Sequence, residues 1–177
     1  MSEMFSGAES FNQPLDKWDT SNVTNMSEMF LGAASFNQPL DKWNTSNVTN
    51  MSDMFNSATS FNQHLNDWDV SHVTKMSWMF QNAASFNQPL NDWNVSNVKY
   101  MNDMFKDSGL DEDNYSILLN GPCSEQWTKW LNEDESPDSR LKPYKKQYPC
   151  ALLGRSSTLA LARTSRSRNR GPFSCRS

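Results

Sequence analysis

The sequence predicts an α/β repeat solenoid. It would be a stack of about five 25-residue coils, each a short helix plus a short parallel strand, followed by a disordered carboxy-terminal tail. Three observations carry this prediction. Met1, Met26, Met51, Met76 and Met101 are each 25 residues apart, as are Phe5, Phe30, Phe55, Phe80 and Phe105. Thirteen of 25 positions are identical in all four complete units, and the first two units differ at only three. The composition then changes abruptly: residues 1–120 carry 15 acids and 5 bases, whereas residues 121–177 carry 5 acids and 11 bases. These give −10 and +6, the stated net −4 for the 177 residues.

The units are 1–25, 26–50, 51–75 and 76–100, with a closing unit at 101–121. Across the first junction Val23, Met26, Met29, Phe30 and Ala33 follow a 3.6-residue period, which predicts a short helix or helical turn over 21–33 with Thr20 or Ser21 as its cap. Gly32, Ala33 and Ala34 are small enough for the chain to turn. Phe36, Leu40 and Trp43 lack helical spacing, and Pro39 removes a backbone donor. A short strand is therefore predicted around 40–43. Asn12, Asn37, Asn62 and Asn87, each followed by Gln, predict a ladder of amides that satisfies backbone groups in successive turns. One such unit buries too little to fold alone, so units must share a core with their neighbours. If each contributes one strand to a parallel sheet, the rise is roughly 4.8 Å per unit.

Beyond the repeats, Trp127, Trp130 and Leu131 have helical spacing and predict a short helix within 122–135. Residues 136–177 read as a disordered basic tail with no acid after Asp138 and a Ser/Arg-rich end carrying Arg166, Arg168, Arg170 and Arg176. Contact with anionic lipid, contact with a nucleic-acid backbone and attraction to the acidic units compete for it. An unselected tail is the blander alternative. No aromatic platform interleaves the basic residues, which disfavours specific nucleic-acid recognition. The three cysteines, Cys123, Cys150 and Cys175, are odd in number and argue against a disulfide framework.

The run Thr45-Ser46-Asn47-Val48-Thr49-Asn50-Met51-Ser52-Asp53-Met54-Phe55, then Ser60-Phe61-Asn62-Gln63 and Trp68, resembles the 25-residue repeat of BspA-like leucine-rich-repeat surface proteins. The stretch from Asp111 to Gly121 resembles the segment that closes such arrays. The resemblance covers residues 1–121 and implies an irregular leucine-rich-repeat-like solenoid, surface display, and adhesion or protein binding without enzyme activity. It is also the sole pointer to a cell-surface or extracellular location. No secretory signal and no run of eighteen apolar residues occurs in this sequence. Met1 aligns with the middle of a unit. The first coil is therefore expected to be cut, as in a fragment without independent function, or to self-associate through its uncapped face.

Within the units, the candidate binding residues occupy the variable positions between Leu and Trp and just after Trp. They are Asp16, Lys17 and Asp19; Asp41, Lys42 and Asn44; Asn66, Asp67 and Asp69; and Asn91, Asp92 and Asn94. If Leu and Trp point inward, these residues line one outward face. The position held by Lys17 and Lys42 becomes Asp67 and Asp92, so charge grades along the array. An ordinary solvated face is the competing interpretation. A protein or glycan partner on this face is the expected function, with a basic-tail binder of nucleic acid or anionic membrane as the alternative.

Enzyme chemistry finds no support. The two histidines, His64 and His72, replace Pro and Asn of sibling units. No Gly-rich phosphate loop and no Cys–His pair is evident, and neither a catalytic residue, a small-molecule substrate, a cofactor nor a metal site is expected. The Met-x-x-Met-Phe element reads as core rather than as a metal site. Seven Asn-x-Ser/Thr sequons, at Asn22, Asn25, Asn44, Asn47, Asn50, Asn94 and Asn114, are largely a by-product of the repeat.

Overall fold

The computed structural model describes residues 1–120 and 122–133. The expected tail at 136–177, with its arginines, Cys150 and Cys175, lies outside them. From residue 1 to 110 the described chain is built of turns joined by isolated parallel bridges, Asn25 to Asn50, Asn50 to Lys75 and Lys75 to Tyr100. Two helices follow, α1 (Glu112–Asn120) and α2 (Ser124–Glu133).

The expected helix over 21–33 is not formed. Its backbone donors alternate between two destinations. Met26, Glu28, Phe30 and Gly32 donate one coil onward, to the carbonyls 24 residues ahead on Asn50, Ser52, Met54 and Asn56 at 2.8–3.0 Å. Met29, Leu31 and Ala33 instead close four-residue turns onto Met26, Glu28 and Phe30. Glu28 and Gly32 sit at φ +57° and +68°, which no α-helix tolerates. The same two positions are left-handed in every unit: Glu3, Asp53, Trp78 and Asp103 at the first, Gly7, Ser57, Asn82 and Asp107 at the second. Consecutive tight turns bring residues three and four apart to one side, which imitates helical periodicity while sending every other N–H outward.

Nor is there a strand at 40–43. Trp43 N–H donates to Leu40 carbonyl at 3.1 Å, closing a β-turn, and the same turn recurs at Leu15–Trp18, Leu65–Trp68 and Leu90–Trp93. It aims the indoles of Trp43, Trp68 and Trp93 into the core. Trp43, Trp68 and Trp93 then donate Nε1–H to the carbonyls of Leu15, Leu40 and Leu65 in the preceding unit at 2.9–3.1 Å. The remaining core is continuous from unit to unit. Phe30, Phe55 and Phe80 are fully buried, and the rings from Phe5 to Phe105 stack at 5.5–5.8 Å with planes within 6° of parallel. A second column, Phe11, Phe36, Phe61 and Phe86, runs beside it at 5.8–6.2 Å.

The expected amide ladder is present. Asn12, Asn37 and Asn62 each accept on Oδ1 from the N–H of the Asn one unit later at 2.9–3.0 Å. Gln38, Gln63 and Gln88 donate to the same oxygens at 2.9–3.0 Å. The last rung is supplied by Asp111, whose N–H donates to Asn87 Oδ1 24 residues back rather than 25. The one-residue contraction falls at Gly109, whose N–H meets Ala83 carbonyl and where a Cβ would lie 2.3 Å from Ala84 carbonyl oxygen.

The end of the stack is closed by borrowed parts. Trp127 of α2 is fully buried with its ring 6.2 Å from Phe105 at 37°, close to the 6.4 Å and 34° of Phe80 and Trp93. Gln126 Oε1 accepts the Val95 N–H at 2.7 Å. Cys123 is buried and disulfide-bonded, whereas the odd cysteine count argued against a disulfide framework. At the opposite end Met4 is 51% and Trp18 36% exposed, while Phe5 and Phe11 are half-buried.

Two predictions follow from this packing. Phe55→Ala is expected to cost about 3–5 kcal/mol, and Trp68→Phe, which puts a smaller ring in the indole's place and strands the Leu40 carbonyl, about 1–3 kcal/mol, both by chemical denaturation. The second concerns Asp111, which caps α1 by accepting the Asn114 N–H at 3.0 Å. That bond, and then the Asn87 amide, hold its carboxyl below the usual carboxylate range. A carboxyl depressed on folding stabilises above its unfolded pKa and loses that contribution as pH falls through the folded one. Asp111→Ala is therefore expected to cost about 1 kcal/mol at neutral pH, with the difference from wild type vanishing on acidification.

Candidate functional site

The Leu–Trp turn explains why the candidate face is outward. A β-turn anchored by two buried residues, or in the first unit by buried Leu15 alone, leaves its middle pair projecting from the core. Asp16 and Lys17, Asp41 and Lys42, Asn66 and Asp67, and Asn91 and Asp92 are those middle pairs. The first two pairs and Asp67 are exposed, and Asn66, Asn91 and Asp92 are half-buried. The structure thus stacks the expected residues in columns on one side of the molecule.

The third column has a structural duty that sequence reasoning missed. Asp19, Asn44, Asp69 and Asn94 each accept on Oδ1 from the N–H two residues on, in Ser21, Ser46, Ser71 and Ser96, at 2.9–3.2 Å. These are Asx turns, which need an oxygen but no particular charge. The alternation of Asp and Asn there is structurally silent. The Ser21 hydroxyl, then its N–H, hold exposed Asp19 below the usual carboxylate range.

The face differs along its length. Between the first two units Lys42 Nζ and Asp16 are 4.0 Å apart, with side chains 66% and 40% exposed. Between the third and fourth, acids replace lysine. Asn66 Nδ2 donates to Asp92 Oδ2 at 2.8 Å, Asp92 N–H returns a bond to Asn66 Oδ1 at 3.1 Å, and Asn91 holds Asp92 Oδ1 at 2.9 Å. His64 Nε2 lies 3.4 Å from Asp67. Around this pairing opens a cleft of about 160 Å³ lined by Asn66, Asp67, Trp68, Asp69, Val70, Asp92 and Asn94. Five of the seven lining residues are ones the sequence marked as binding candidates. The cleft presents three carboxylates beside amide donors, which suits hydroxyl, amide or cationic groups of a partner. Among the described residues no cluster of His, Cys, Asp or Glu forms a metal-holding group, and no helix is long and apolar enough to cross a membrane.

Two exposed aromatic residues lie off this face and were not singled out from the sequence: Trp78, 41% exposed, and Tyr100, 55% exposed. The signal was available at Trp78, because the equivalent residues Glu3, Glu28, Asp53 and Asp103 are all acids.

The face and the ladder separate in energetic terms. Asp16→Ala is expected to change stability by less than about 0.5 kcal/mol, since the ion pair is exposed and long. Asn62→Ala, which strands the Asn87 N–H, is expected to cost about 1–3 kcal/mol in the same denaturation assay.

Comparison with known proteins adds one relationship. No curated protein and no solved structure matches the chain. A family described as Mycoplasma protein of unknown function, DUF285, matches residues 1–116. That span holds every complete repeat, the amide ladder and the acidic cleft, and on it the chain belongs to the DUF285 family.

Proposed function

We propose that this chain is a non-enzymatic interaction module. It is a short, irregular leucine-rich-repeat-like solenoid of the BspA-like kind, which binds a protein or glycan through its polar face, as in adhesion. The observation that carries this reading is the cleft at Asn66, Asp67, Asp69, Asp92 and Asn94. It forms where the repeat departs from its first two units, on positions that contribute little to the core. In-register parallel bridges and ring columns support the solenoid. The parallel pairing is confined to single-residue bridges, which suits an irregular array rather than one with regular strands.

The test uses Asp67→Lys together with Asp92→Lys. Units one and two carry Lys17 and Lys42 at these positions, so the substitutions suit the fold. Wild type is screened on protein and glycan arrays, and each ligand recovered is titrated against both forms. A loss of about tenfold or more is expected, because reversing two carboxylates turns attraction into repulsion at close range. Unchanged affinity for every ligand would sink the reading.

A further inference from the structure

A second surface, on different columns of the repeat, goes beyond that reading and is independent of the cleft. It is the outer side of the Met-Phe segments. Met76, Met79 and Phe80 are buried, while Lys75 and Trp78 beside them are exposed; one unit on, Met101 is buried and Tyr100 exposed. Lys75 and Tyr100 pair in a parallel bridge, and Trp78 N–H donates to Asn102 carbonyl at 2.9 Å. Trp78, 41% exposed, and Tyr100, 55% exposed, therefore stand on one face in adjacent units, with Cα atoms at most about 12 Å apart. Neither residue serves the core, and neither suits the backbone it sits on. Trp78 is at φ +59°, where bulky side chains are rare and the sibling units place Glu3, Glu28, Asp53 and Asp103. Tyr100 stands where Asn25 and Asn50 each accept the N–H two residues on, in Ser27 and Ser52, at 3.0 Å, a turn that a tyrosine side chain cannot close.

We infer that Trp78 and Tyr100 form a platform for a neutral oligosaccharide. The C–H face of a pyranose ring carries a slight positive charge and lies against the negative face of an aromatic ring. Rings on adjacent units suit linked sugars rather than a single one. The charges around them favour a neutral ligand. Lys75, Lys99 and Lys106 stand against Asp53, Asp103 and Asp107, so the surrounding charge sums to zero. Asp53 already accepts from Asn56 Nδ2 at 2.9 Å, and Asp103 and Asp107 have partners as well. A cation meets the lysines and an anion meets the aspartates, whereas sugar hydroxyls accept from ammonium groups and donate to carboxylates.

The full chain, labelled with nitrogen-15, is titrated with tetrasaccharides of glucose, mannose and N-acetylglucosamine, with a sulfated tetrasaccharide and with N-acetyl-arginine amide. The Trp78 indole resonance is assigned from its absence in Trp78→Glu, and affinities are read by calorimetry. At least one neutral tetrasaccharide is expected to move that resonance. Trp78→Glu and Tyr100→Asn, which restore residues of sibling units, are each expected to weaken its binding about two- to tenfold. Asp67→Lys with Asp92→Lys, which alters the cleft, leaves it unchanged. Thermal melting of both platform variants, expected at or above that of wild type, shows that folded proteins are compared. No movement with any neutral tetrasaccharide overturns the inference, as does undiminished affinity in either platform variant. Tighter binding of the sulfated sugar or of arginine amide overturns it in favour of a charged partner. Loss of binding in the cleft variant overturns it by assigning the sugar to the cleft.

Discussion

Everything in the stack depends on where alternate backbone N–H groups point. Each unit keeps half the donors of its Met-Phe segment for its own turns and gives the other half to the next unit. That division requires a left-handed residue at two fixed places per unit, and all ten such places have positive φ. Helical hydrogen bonding would satisfy the same donors internally and leave adjacent units with nothing to hold. Parallel registration follows, and from it the ring columns, the buried indole bonds and the amide ladder. Each of these pairs a group with its counterpart one unit away.

The same constraint partitions each unit by chemical freedom. Residues whose side chains meet their own copies, Phe30, Phe36, Asn37 and Met26, are held to one identity. The middle residues of the Leu–Trp turn meet solvent and vary between Asp, Lys and Asn. The residue after Trp lies between these extremes, because its side-chain oxygen closes a turn while its charge is free. The outward surface can therefore be rewritten on this architecture without touching what folds it, and the acidic cleft lies in the rewritable part.

Much of this was legible in the residues. The 25-residue period, the buried Met, Phe, Leu and Trp positions, the amide ladder and the location of the outward columns all come from a pattern repeated four times. The local conformation was not legible. The spacing of Met26, Met29, Phe30 and Ala33 is the same for a helix as for a chain of tight turns, and only the sign of φ at Glu28 and Gly32 separates them. Glu is no signal of a left-handed residue, whereas Gly7 and Gly32 were a partial one that Ser57 and Asn82 obscure. The closing device was equally hidden, because Trp127 takes the place of a core indole from nine residues beyond the repeat position, Leu118. The cleft needed the structure too, since Asn66 and Asp92 are 26 residues apart and meet only when the units are stacked.

Near-identity of the first two units bears on how the chain finds its register. Their side chains differ at three places only, so a slip of one whole unit along the growing stack leaves most of the interior unchanged there. Stepwise growth is tolerant of where it begins, since every pairing spans about one unit of chain. The ambiguity ends at the far side. Val70 and Val95 replace the threonines whose hydroxyls reach the next unit at Thr20 and Thr45, and the Val95 N–H is claimed by Gln126. Docking of α2 thereby marks one end of the stack, because its Gln126 bonds the fourth unit.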